Sequence, residues 1–89
     1  MNSRELVAWN MRRLRVEKKL SQDKLAELAG VDRTYVSRLE RTMENPSINI
    51  LDKIVSVLGV SIAELFVEPA AEDGRPKPLK AGRRPKAVE

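Results

Sequence analysis

The feature that most constrains this sequence is the alternation of short helical stretches with helix stop signals over residues 1–68. Apolar residues recur every three or four positions, as Val7, Met11 and Leu14 do, and no segment alternates apolar and polar residues as a half-buried strand would. Gly30 and Gly59 follow two of these stretches, and glycine takes the left-handed conformation that ends a helix without steric cost. The pattern therefore predicts an all-α domain.

Residues that can cap a helix place five helices in this domain. Their side-chain oxygens can accept hydrogen bonds from the first backbone N–H groups of a helix. The expected N-caps are Ser3, Ser21, Asp32, Ser47 and Ser61. The last of these opens a Ser-x-x-Glu capping box, which predicts a short fifth helix over residues 61–66. We expect a compact five-helix fold in which Leu28 of the second helix and Ile48 of the fourth face the core.

The composition excludes several classes of function. The 89 residues include no cysteine and no histidine, so the chain lacks the usual zinc ligands, a disulfide framework and a Cys- or His-based catalytic dyad. No apolar run approaches the roughly 20 residues that span a membrane. We therefore expect no metal, no cofactor, no enzyme activity and no membrane contact. The lack of cysteine also fits the reducing cytoplasm.

The positive charge is unevenly distributed along the chain. The net charge is +4, but residues 1–68 carry eleven Lys/Arg against ten Asp/Glu and are nearly neutral. Residues 69–89 carry six Lys/Arg, four of the five prolines and few large apolar side chains, which predicts a disordered basic tail after a domain of residues 1–68. A polyanion would have to bind the domain through a local patch rather than through its overall charge.

Such a patch is expected on the third helix, residues 32–41. At about 100° per residue, Val36 and Leu39 lie on one side of the helix. The opposite side carries only hydrogen-bond donors, which are Arg33, Thr34, Ser37, Arg38 and Arg41. A charged face is often merely solvated, but this one has no acidic residue and follows a short helix and a glycine turn. A helix fits the major groove of DNA, where arginine can bind guanine and Ser or Thr can approach base edges.

The segment "LSQDKLAELAGVDRTYVSRLERTMENPSINILDKIVSVLGVSIAELF" resembles the helix-turn-helix domain of phage-repressor/Cro-like (xenobiotic-response-element) regulators. The resemblance covers about residues 5–67. It implies a lambda-repressor-like domain that binds double-stranded DNA sequence-specifically, regulates transcription and acts in the cytoplasm, on the nucleoid. Small restriction–modification controller proteins are similar, and a prophage-type repressor is the close alternative. An antitoxin with the same fold is a further alternative, although its toxin-binding tail is more often acidic or amphipathic.

The resemblance also implies roles for individual residues. Positions that face base edges are Arg33, Thr34, Ser37 and Arg38. Positions near the DNA backbone are Gln22, Tyr35, Arg41 and Asn45. Arg15 and Glu40 match an ion pair that bridges the first and third helices. Thr42 stands where the family usually has a glycine that ends the recognition helix, and threonine is poor at positive φ. We therefore expect the third helix to end differently or to extend by a turn.

Family members usually bind pseudo-palindromic operators as homodimers. The fourth helix carries an apolar sector beside its expected core sector, and we expect a two-fold interface formed by Ile50, Ile54, Val57, Phe66 and Val67. The alternative is a fourth helix that is simply more buried than usual. In the tail, "GRPKP" and "GRRPK" resemble the core of AT-hook peptides, so residues 70–89 are either a minor-groove or phosphate contact or a solubilising linker.

Overall fold

A computed structural model describes residues 1–69. These residues contain no strand and form four α-helices and one 3-10 helix. The elements are α1 (Ser3–Glu17), α2 (Gln22–Ala29), α3 (Arg33–Glu40), α4 (Ile48–Leu58) and the 3-10 helix (Ile62–Phe66). The predicted all-α fold is confirmed, except that the fifth helix is a single 3-10 segment. None of the helices within the described range is long and apolar enough to cross a membrane. The expectations for residues 70–89 concern residues outside those described.

The helix start signals were correct at four of the five positions. The side chains of Ser21, Asp32, Ser47 and Ser61 each accept a hydrogen bond from a backbone N–H two or three residues later. The prediction for α1 was wrong, because Asn2 rather than Ser3 is its N-cap. Asn2 Oδ1 accepts from the Glu5 N–H at 2.9 Å, and Glu5 Oε1 accepts from the Asn2 N–H at 3.0 Å. This reciprocal capping box satisfies two backbone donors, which Ser3 one residue later would not do.

Every α-helix is followed, one or two positions after its last residue, by a residue with positive φ. Gly30 and Gly59, at 74° and 72°, are the glycine stops expected from the sequence. Lys19 and Thr42 take the same conformation, each with φ of 60°. After α3, the Met43 N–H donates to the Arg38 carbonyl at 2.9 Å and the Thr42 N–H donates to the Leu39 carbonyl at 3.1 Å, the pair of bonds that defines a Schellman motif. α3 therefore ends at Glu40, and Thr42 occupies the glycine position instead of extending the helix.

The core lies where all five helices meet. Its most deeply buried apolar side chains are Met11, Leu25, Val36, Ile54, Leu58 and Leu65. Two expected core residues, Leu28 and Ile48, are exposed. α2 packs with Leu25, Ala26 and the half-buried Ala29 inward, which places Leu28 on the flank of that face. Ile48 is the first residue of α4 and lies one turn before the buried Leu51.

The Asn10 side chain connects α1 to the C-terminal end of the domain through hydrogen bonds. Its side chain is buried, and Nδ2 lies 2.9 Å from the carbonyl oxygens of both Leu65 and Val67. Asn10 Oδ1 accepts a hydrogen bond from Arg13 Nη2 at 3.0 Å. A buried amide is stable only when it is hydrogen-bonded, and here its partners are the carbonyl groups at the end of the 3-10 helix. Asn10 therefore positions Phe66 and Val67 relative to α1.

Candidate nucleic-acid interface

Two apolar side chains anchor α3 in the core, and a turn that contains a glycine precedes it. Val36 and Leu39 are buried in the core. α2 ends at Gly30, where the Val31 N–H donates to the Ala26 carbonyl at 3.0 Å, and Asp32 then caps α3. Because the turn is short and its hydrogen bonds are satisfied, α2 and α3 form a rigid pair. The side of α3 away from Val36 and Leu39 is left at the surface.

Three of the four predicted base-contact residues lie around one recess between α2 and α3. Arg33 and Thr34 are exposed and Ser37 is half-buried, and Gln22 and Asp23 of α2 complete the lining. The fourth residue, Arg38, lies one turn further along α3 and is half-buried. The structure thus presents all four side chains beside one another along α3, and α2 forms one wall of this surface.

Acidic side chains from outside α3 pair with both arginines. Arg33 Nη1 lies 3.0 Å from Asp23 Oδ2, with the two side chains 71% and 65% exposed. Arg38 Nε lies 2.6 Å from Glu44 Oε2, with side chains 43% and 24% exposed. α3 itself carries no acid on this face. Asp23 on α2 and Glu44 in the loop after α3 bring acids to it, and helical winding of α3 alone could not reveal them.

A buried polar network braces the inner side of α3. Arg15 Nε and Nη2 donate to the two carboxylate oxygens of Glu40 at 2.6 and 3.0 Å, and Arg15 Nη1 donates to the Leu20 carbonyl at 2.7 Å. The Glu40 side chain is 3% exposed and that of Arg15 12%. Gln22 Nε2 donates to Glu40 Oε1 at 3.0 Å. Arg15, Glu40 and Gln22 thus connect α1, α3 and α2, and the two-point contact fixes the guanidinium plane against the carboxylate.

Three predicted backbone-contact residues lie around the C-terminal half of α3. Tyr35 is half-buried, Arg41 is exposed at the end of the helix, and Asn45 is exposed in the loop that follows. Burial raises the pKa of Tyr35 above its ordinary value, and the nearby Glu44 carboxylate raises it further. A tyrosine hydroxyl is protonated at neutral pH even at its ordinary pKa, so it can donate a hydrogen bond to an anion there with or without this shift.

The predicted dimer interface is partly wrong. Ile54 is fully buried within the protomer, so it cannot form a surface seam. α4 packs against both α2 and the 3-10 helix, which buries the sector that contains Ile54. Ile50 and Val57 are half-buried, whereas Phe66 and Val67 are exposed. The exposed Ile48 shares a recess with Phe66 and was not part of the predicted interface.

Comparison with known proteins identifies this arrangement. A family model described as Helix-turn-helix matches residues 11–65. A hypothetical transcription factor of Neisseria meningitidis serogroup B is 42% identical over 66 residues, which are 74% of this chain and 62% of that protein. The chain thus matches less than two thirds of the length of that relative.

Solved structures agree with the sequence matches. The restriction-modification controller protein C.AhdI from Aeromonas hydrophila superposes with a TM-score of 0.70 at 36% identity, over 74% of this chain and 100% of that chain. SinR, a master regulator for biofilm formation solved in complex with DNA, gives a TM-score of 0.66 at 40% identity, over 68% of this chain and 98% of that chain. Both likenesses extend over more than two thirds of this chain rather than over an isolated motif.

Proposed function

This chain belongs to the helix-turn-helix family of XRE-type DNA-binding transcription regulators, which are not enzymes, and we propose that it binds a specific double-stranded DNA sequence through α3. The observation that carries the proposal is the division of α3 into two sides. Val36 and Leu39 anchor one side in the core, and arginine and hydroxyl side chains occupy the other. In this role α3 enters the major groove, and the protein acts on the nucleoid.

The proposed base contacts are made by Arg33, Thr34, Ser37 and Arg38. Arginine can donate two hydrogen bonds to the O6 and N7 atoms of guanine, and Ser or Thr can bond base edges or contact the thymine methyl group. Arg33 and Thr34 are exposed in the first turn of α3, the part of a recognition helix that usually meets the bases. These side chains supply sequence preference rather than most of the affinity.

The proposed phosphate contacts are made by Gln22, Tyr35, Arg41 and Asn45. The Gln22 amide nitrogen carries two hydrogens, so it can donate one to Glu40 and the other to a phosphate oxygen. The Tyr35 hydroxyl is protonated at neutral pH, as a tyrosine ordinarily is, and can donate to another phosphate oxygen. Such contacts set the position of α3 on the duplex without reading sequence.

We propose a homodimer as the functional unit, with an interface formed by Phe66, Val67 and Ile48. The supporting observation is that all three are exposed and that Ile48 and Phe66 line one recess, since large apolar side chains grouped at a surface favour association. Ile50 and Val57 are half-buried on the opposite flank of α4 from Ile48, so the revised interface leaves them out. A two-fold dimer would place two copies of α3 on inverted half-sites about one helical turn apart.

Among regulator types we favour a restriction–modification controller. The supporting observation is that controller proteins recur among the similar proteins, and C.AhdI is 36% identical to this chain with a TM-score of 0.70. The control protein C.SmaI of Serratia marcescens is also 35% identical over 66 residues.

Selection of bound duplexes from a random DNA pool, using the full chain, tests the sequence-specific binding and the homodimer. We expect enrichment of two inverted half-sites whose centres lie about 10 base pairs apart. Failure to enrich any sequence would contradict sequence-specific binding. Enrichment of an unrepeated half-site, together with a single protomer in sedimentation on that DNA, would contradict the dimer and leave the reading role of α3 intact.

A further inference from the structure

We propose that Glu44 is a positioning residue that holds Arg38 in the orientation in which it reads a base, an inference that rests on the proposed function. The contact at issue is the 2.6 Å hydrogen bond from Arg38 Nε to Glu44 Oε2. Arg38 lies in the last turn of α3 and Glu44 lies in the loop that follows, six residues later.

The end of α3 places Glu44 beside Arg38. Thr42 has φ of 60°, and the Met43 N–H donates to the Arg38 carbonyl, so the chain reverses and runs back along α3. The backbone turn therefore places Glu44 next to Arg38, so the contact does not depend on a flexible side chain alone. Its carboxylate also raises the pKa of Tyr35, so Glu44 lies near a second residue of the proposed interface.

The bond uses only one part of the guanidinium group. Glu44 accepts from Nε, and within residues 1–69 neither Nη atom of Arg38 forms a hydrogen bond. The two terminal nitrogens are the edge that can match the O6 and N7 acceptors of guanine. Glu44 thus fixes the side-chain torsions of Arg38 and leaves a two-donor edge for the base. A side chain ordered before binding loses less entropy when the complex forms.

The pair also changes what Arg38 contributes electrostatically. The carboxylate offsets the guanidinium charge, so Arg38 gains less from nonspecific attraction to phosphate and more from hydrogen bonds to a particular base. The Arg33–Asp23 pair does not provide the same constraint, because both of its side chains are mostly exposed and such a pair opens readily in water. Asp23 is therefore a matched control for Glu44.

The test measures binding of the full chain to two duplexes. One is a duplex selected from a random pool by the wild-type protein, and the other differs at the base pair whose preference is lost in Arg38→Ala. The discrimination ratio is the affinity for the first divided by that for the second. Glu44→Gln is expected to lower this ratio about two- to tenfold, the range expected for ordering one long side chain. Asp23→Asn removes the same charge from the same face and should leave the ratio unchanged.

A second comparison separates positioning from a merely structural effect. At the base pair whose preference is lost in Arg33→Ala, Glu44→Gln should leave the corresponding ratio unchanged, because Glu44 bonds Arg38 and not Arg33. Thermal unfolding of each variant checks that the domain remains folded. Both Glu44→Gln and Asp23→Asn should strengthen binding to an unrelated duplex at low salt, since each removes a negative charge.

Three results would overturn the inference. An unchanged ratio in Glu44→Gln would remove the positioning role. Tighter binding to the selected duplex with an intact ratio would mean that Glu44 masks Arg38 instead of aiming it. An equal loss at the base pair that depends on Arg33 would assign the effect to a general disturbance of the surface. If the wild-type protein selects no duplex at all, the proposed function itself fails, which is a distinct outcome.

Discussion

Glu40 and Glu44 make the same bond in two different surroundings. Each accepts a hydrogen bond from an arginine Nε at 2.6 Å, Glu40 from Arg15 and Glu44 from Arg38. The Glu40 side chain is 3% exposed and also accepts from Gln22, whereas the Glu44 side chain is 24% exposed at the proposed DNA-binding surface. The difference teaches that contact distance alone does not assign a role. Burial makes the first pair part of the domain's stability, and exposure leaves the second available to DNA.

The largest expected effect comes from the buried pair. Glu40→Gln leaves the Arg15 guanidinium without a carboxylate in a site with little access to water, and breaking a buried pair on one side costs about 3 kcal/mol or more. Urea unfolding measures this loss. Glu44→Gln is the control and should change the free energy of unfolding by less than about 1 kcal/mol, as expected for a more exposed pair. Equal losses in the two variants would erase the distinction drawn between the two glutamates.

A smaller effect, on binding rather than folding, is expected from Arg38→Ala. It should weaken binding to the selected duplex by about 1–3 kcal/mol and relax preference at one base pair, since a side chain that reads a base is removed. Gln22→Ala should instead weaken binding to all sequences alike. Lys53→Ala removes a positive charge from the exposed surface of α4 and serves as the control. Titration against a set of singly substituted duplexes separates these patterns, and a uniform loss in Arg38→Ala contradicts its reading role.

The smallest effect on stability is expected from a substitution at Thr42, in the turn between α3 and Glu44. Thr42→Gly should stabilise the domain by about 0.5–1 kcal/mol, because the left-handed conformation costs a non-glycine residue about 1–2 kcal/mol and the greater freedom of glycine in the unfolded chain offsets part of that gain. Since the turn is retained, the discrimination ratio should not change. Gly30→Ala is the reverse control: nothing lies within 4 Å of the added Cβ, yet φ of 74° strains alanine and should destabilise the domain. Thermal unfolding measures whether each variant gains or loses stability. Destabilisation by Thr42→Gly would show that the threonine side chain matters more than the backbone strain.

Much of the fold was predictable because local signals were consistent. The caps at Ser21, Asp32, Ser47 and Ser61 and the stops at Gly30 and Gly59 depend on residues close to each helix end, and the structure confirms them. The inward positions of Val36 and Leu39 follow from winding a single helix. The roles of the exposed α3 side chains stay predictions, since they concern a DNA molecule rather than the protein's own contacts.

The errors arose where one helix meets another. Ile54 and Leu28 both lie on apolar flanks of their helices, and only the packing of α4 against α2 and the 3-10 helix buries the first and leaves the second exposed. Neighbouring elements likewise supply the carboxylates that pair with Arg33 and Arg38. They also supply the Leu65 and Val67 carbonyl groups that accept hydrogen bonds from Asn10.

By itself, then, the sequence determined the helices, the side of α3 that faces the core and the family to which the chain belongs. The resemblance also predicted the Arg15–Glu40 pair, but only the tertiary structure decided which carboxylates Arg33 and Arg38 meet and how deeply each pair is buried. The physical reason is one of range. Helix boundaries and faces are set by hydrogen bonds and side chains within a few residues, while an ion pair such as Arg33–Asp23 joins two helices that only their packing brings together.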